Sequence, residues 1–131
     1  MTRSLMGRLE TGDLEPGSFG HREHLQAAWE VLGDGPFLEA ATRYARAIER
    51  FARQAGAADK YHLTVTLAYL SLIAERMAAA DHASFDAFLA ANPDLEGNAL
   101  APYYSPERLS TEVARRVFLL PDSRGISMRL R

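Results

Sequence analysis

Apolar residues recur along this chain at intervals of three and four, the spacing that gathers them on one side of an α-helix. The clearest stripe is Phe37, Ala41, Tyr44, Ile48, Phe51 and Ala55, with Glu39, Arg43, Arg46, Glu49, Arg50 and Arg53 off it. Pro36 suits a first helical turn and Gly56 closes the segment. Upstream, Leu25, Ala28, Trp29 and Leu32 predict a helix entered from Ser18 as N-cap and stopped at "GDG". Residues 61–79 have a different pattern. Leu63, Val65, Leu67, Ala68, Leu70, Leu72 and Ile73 leave little polar face, which predicts a helix in the middle of a bundle.

Shorter elements flank these three. Residues 4–10 predict a short helix that stops at Gly12. "DHASFDAFLAANPDL" predicts a helix capped by Asp81 or Ser84, with Phe85, Phe88 and Leu89 as its contacts, ending before Pro93. Ser105 and Pro106 start a helical turn, and Ser110 or Thr111 caps a last helix running to about Leu119. "GDLEPGSFG" and "EGNALAPYY" read as loops. The expected fold is all-α: a single-domain bundle of five to six helices over residues 1–122, with a buried central helix. A basic tail, residues 123–131, carries Arg124, Arg129 and Arg131.

Composition narrows the function classes. A chain of 131 residues suits one domain and can bury a core without crosslinks. Cysteine is absent, so there is no disulfide framework and no thiolate metal site. The 15 basic and 17 acidic residues leave a net charge of -2, which makes no electrostatic case for nucleic acid or an anionic membrane. The longest apolar run, residues 63–74, is too short to span a bilayer, and the N-terminus lacks the apolar core of a signal peptide. A soluble, cytoplasmic protein is the expectation.

The chemistry concentrates in "GHREHLQAAWEVL" and "KYHLT". His21 and His24, three apart, extend the apolar stripe of their helix, and His62 opens the central helix. Two imidazoles on one face and a third from a neighbouring helix suit either a divalent metal or acid–base work. Zinc, iron, nickel and copper all accept imidazole, so the ligand type does not choose among them. Placed near a helix N-terminus, His21 and His24 are favoured in the neutral form. Tyr61, Thr66, Tyr69 and Tyr104 are candidate substrate contacts, and Thr64 could add a hydrogen bond. The alternative is plain: a buried histidine commonly donates to a carbonyl and does nothing more. His82 is expected in solvent, and Lys60 likewise. There is no phosphate-binding glycine loop and no HExxH.

Together these segments resemble a widespread family of small, uncharacterised bacterial helical proteins with an F-x-H-x-x-H pair and a later Y-H-x-T motif. The resemblance spans nearly the whole chain and falls on Phe19, His21, His24, Tyr61, His62, Thr64, Tyr104, Ser105, Phe118, Pro121 and Asp122. At Leu63 this chain departs from the glutamate that often follows the motif histidine. The resemblance implies the helical fold and the grouping of the three histidines, and implies no particular reaction.

The expectation is therefore a small helical protein with a pocket lined by His21, His24 and His62, beside Thr66 and Tyr69, that binds or acts on a small molecule, with or without a metal. A non-catalytic ligand-binding or interaction module with structural histidines is the alternative, and homodimerisation is a further one.

Overall fold

A computed structural model describes residues 4–123. Among these residues there are seven α-helices and no strand: α1 (Leu5–Thr11), α2 (His21–Leu32), α3 (Phe37–Gln54), α4 (Leu63–Ala79), α5 (Phe85–Ala91), α6 (Pro106–Leu109) and α7 (Glu112–Arg116). The all-α bundle is as the sequence pattern predicts, with the short terminal turns counted as helices of their own. The tail assigned to 123–131 lies, apart from Ser123, outside the described residues.

α4 is the central helix. Leu70 and Ile73 are fully buried and Leu72 nearly so, while Ser71 and Glu75 reach solvent. α2, α3 and α7 all pack against it. Each large aliphatic side chain buried in this way contributes about 1.5–3 kcal/mol. α3 presents Ala41, Tyr44 and Ile48 to the core, as its stripe requires. Phe37, at the first turn of the same stripe, remains exposed.

α1 is fixed by polar contacts at both ends. Glu30 of α2 accepts the Met6 N–H at 2.8 Å, covering one of the donors a helix start leaves open. Glu10 takes a two-pronged hydrogen bond from Arg43 of α3, at 3.0 and 2.7 Å. α1 closes at Gly12, whose φ of 75° lies in the left-handed region that favours glycine.

Two boundaries differ from the sequence expectation. α2 is capped by Gly20 rather than Ser18: the Glu23 side chain accepts the Gly20 N–H at 2.9 Å, whereas Ser18 donates its hydroxyl to the Glu15 carbonyl. α7 stops at Arg116, and residues 117–123 form a non-helical strap instead of continuing the helix to Leu119. The reason is competition for backbone groups. Thr64 donates to the Val117 carbonyl and accepts the Leu119 N–H. Tyr104 donates to the Leu119 carbonyl at 2.7 Å, and Arg108 to the Leu120 carbonyl at 2.6 Å. Asp122 closes the strap by accepting both the N–H and the hydroxyl of Ser105. These bonds engage the strap's polar backbone groups with side chains, in place of the bonds a helix would make.

Candidate functional site

One cavity of about 590 Å³ opens between the start of α2, the second half of α3, the turn after it and the first half of α4. It lies in the size range of small-molecule sites. His21, His24, Tyr61, His62, Thr66 and Tyr69 all line it. Three ring contacts shape this wall. Phe19 packs on His24 with ring centroids 4.3 Å apart and on Phe51 at 5.0 Å. His21 meets Tyr69 edge-on at 5.4 Å. Apolar surface from Ile48, Phe51 and Val65 forms the rest of the interior.

Each of the three cavity histidines makes a hydrogen bond to a main-chain carbonyl. His21 Nε2 donates to the Leu95 carbonyl at 2.8 Å, which pins α2 to the turn at Pro93–Glu96. Arg22 supports the same junction, pairing with Asp86 at 2.5 Å and lying 5.2 Å from the centre of the Phe85 ring. His24 Nδ1 donates to the Gly20 carbonyl at 2.8 Å, one turn back on its own helix. His62 uses both ring nitrogens. Its Nδ1 accepts the Val65 N–H at 3.1 Å as the N-cap of α4, so its Nε2 carries the proton and donates to the Leu109 carbonyl at 2.7 Å.

These bonds decide what each ring can do. His62 has no lone pair left and serves as a joint between α4 and α6. His21 keeps Nδ1 and His24 keeps Nε2. Burial pushes the His24 imidazole below its ordinary value of 6.5; the Gly20 hydrogen bond works the other way, and the neighbouring His21 adds to the depression. His24 is thus neutral, with a fixed Nδ1–H and an accepting Nε2. The imidazole set expected to hold zinc, iron, nickel or copper is not assembled: among the described residues no group of three or more histidine, aspartate or glutamate side chains could hold a metal ion.

The tyrosines divide. Tyr44, which the sequence marked only as an apolar position of α3, is buried and donates to the His24 carbonyl at 3.1 Å. Desolvation drives its hydroxyl far above the usual phenol range. Tyr69 donates to the Gly97 carbonyl and accepts the Ala99 N–H. Tyr61 lines the cavity with a hydroxyl that finds no protein partner among the described residues, and burial, with Glu49 nearby, pushes its pKa up to about 12. Thr66 returns its hydroxyl to the His62 carbonyl at 2.7 Å.

Tyr104, a sequence candidate for substrate contact, does not reach this cavity. It lines a separate one of about 270 Å³ with Ala68, Leu100 and Phe118, and its hydroxyl is committed to the strap. Thr64 is likewise a strap residue, buried completely. His82 is half-buried rather than in solvent, its ring edge-on to Phe88 at 5.8 Å, with Nδ1 covered and unbonded. The sequence reading also missed Lys60, which borders the cavity at the turn Ala58–Lys60. A lysine one residue before a half-buried tyrosine at a helix entry was the available signal.

Comparison with family models, with curated proteins and with solved structures finds no match to this chain.

Proposed function

We propose that this chain binds a small, largely apolar molecule in the cavity between α2, α3 and α4, with His24 Nε2 and the Tyr61 hydroxyl as its orienting polar contacts. The observation that carries this reading is the convergence of six residues from two stretches remote in sequence, His21 and His24 at the start of α2 and Tyr61, His62, Thr66 and Tyr69 at the entry and first half of α4, on one cavity of about 590 Å³. Concave, mainly apolar surface with a few convergent polar atoms is the usual form of a small-molecule site. The reading extends to a cytoplasmic location, in keeping with a cysteine-free chain, and to the bacterial family that the F-x-H-x-x-H and Y-H-x-T motifs resemble.

One observation favours a second reading, acid–base chemistry on the bound molecule. His24 is held neutral, with Nδ1 donating to the Gly20 carbonyl, which leaves Nε2 as the basic atom. That is the state a general base needs near neutral pH.

Ligand-observed NMR with a library of aromatic and aliphatic fragments tests the binding reading. Fragments should bind the wild type and lose binding to Val65→Trp, which fills the cavity. Those bearing a hydrogen-bond donor should also weaken with His24→Phe. A library without binders, or binders indifferent to both substitutions, contradicts it.

A further inference from the structure

The cavity's lining has an electrostatic character that the rest of the chain does not share. The protein carries more acidic than basic residues, 17 against 15. Yet among the described residues lining this cavity none is an aspartate or a glutamate, and Lys60 is the one lysine or arginine. Its polar groups are ammonium, imidazole and hydroxyl.

Most of those groups are already spent on the protein. Tyr44, Thr66 and Tyr69 donate to main-chain carbonyls, and His62 has both nitrogens engaged. What remains for a ligand is the Lys60 ammonium, the Tyr61 hydroxyl, His21 Nδ1 and His24 Nε2. Lys60 and Tyr61, adjacent in the chain, both line the cavity, and neither donor has a hydrogen-bond partner among the described residues. The nearby acids do not neutralise that edge from within. Glu49 and Asp59 line a different cavity, on the far side of Tyr61, together with Arg115 and Arg116. Glu23, beside His24, is folded back onto the Gly20 N–H.

An ammonium and a phenol hydroxyl at the edge of an aromatic and aliphatic interior match one chemistry. Building on the binding reading above, we infer that the occupant is an amphiphilic carboxylate: an aryl or alkyl body lying along Phe19, Ile48, Phe51 and Val65, with its carboxylate received by Lys60 and Tyr61. A cationic ligand would meet the Lys60 charge with no acidic side chain to offset it. A neutral ligand would leave the ammonium unused. A carboxylate accepts from both donors, and hydrogen bonds to a charged acceptor are stronger than neutral ones.

Isothermal titration at low ionic strength with three probes of one skeleton tests this: 3-phenylpropionate, 3-phenylpropan-1-ol and 3-phenylpropylammonium. The carboxylate should bind tightest, with the ammonium about tenfold weaker or worse, as expected for a charge reversal beside a partly exposed cation. The double variant Lys60→Met/Tyr61→Phe should bring the carboxylate down to the level of the alcohol, while the alcohol, which loses only the Tyr61 hydroxyl and no charge, should weaken far less. Added salt should weaken only the carboxylate on the wild type. If the alcohol or the ammonium equals the carboxylate, and Val65→Trp abolishes all binding, the cavity reading stands and the carboxylate inference is overturned. A carboxylate preference untouched by the double variant also overturns it. If none of the three binds, both readings fall.

Discussion

The hydroxyl of Thr64 donates to the Val117 carbonyl at 2.7 Å, a contact across 53 positions of chain, and accepts the Leu119 N–H at 3.1 Å. One buried side chain therefore satisfies two backbone groups of the C-terminal strap. Thr64→Val keeps the shape and removes both bonds, leaving a partly buried carbonyl and N–H unpaired. The expected cost is about 1–3 kcal/mol, read as a lower midpoint in chemical denaturation and a Tm reduced by several degrees. Thr64→Ser, which keeps the hydroxyl, should lose much less. Equal stability of the valine and wild-type proteins would show that the strap is not held through Thr64.

His62 joins two elements through its two nitrogens, capping α4 and donating to the Leu109 carbonyl. Replacement by alanine removes an N-cap, worth about 0.5–2 kcal/mol, and a link to α6. His62→Asn restores a cap acceptor but cannot span to Leu109, so it should recover part of the loss. Denaturation of the three proteins measures this. Full stability in the alanine variant would contradict the structural role and return His62 to the list of ligand-binding groups.

For His24 the pH dependence has a definite sign. Burial lowers the folded-state pKa beneath the ordinary 6.5, so the unfolded chain takes up its proton first as pH falls. The stability associated with neutral His24 is complete above pH 6.5, declines as the pH drops through the interval between the two values, and levels off below the folded one. Urea denaturation between pH 5 and pH 8 should show a shallower slope for His24→Gln than for the wild type. Identical slopes would mean that His24 is protonated as readily in the folded protein as in the unfolded chain.

The strap and the pocket differ in how much of each the sequence reveals. Helical periodicity locates α2, α3 and α4, because their burial repeats every three to four residues. The same pattern places His21 and His24 on the core-facing side of α2, and the cavity lies there. Periodicity does not say which atoms a side chain meets across the fold. Thr64, His62 and Tyr104 look like pocket chemistry in sequence, being polar groups at the start of an apolar helix or in an aromatic loop. Their hydroxyls, and the Nε2 of His62, go instead to carbonyls 15 to 53 positions away, distances at which no local pattern operates. Lys60 shows the reverse case. Its exposed position gives no periodic signal, and only the turn at Ala58–Lys60 brings it to the cavity edge.

The central claim is that the cavity between α2, α3 and α4 receives a small molecule. Two-dimensional NMR of side-chain methyl and imidazole signals, recorded while 3-phenylpropionate is added, tests it directly. The account predicts saturable shifts at His24, Ile48, Val65 and Ile73, with His82 and Leu100 unmoved. Spectra unchanged at millimolar probe, or shifts confined to Leu100 and Leu72 beside Tyr104, would contradict it.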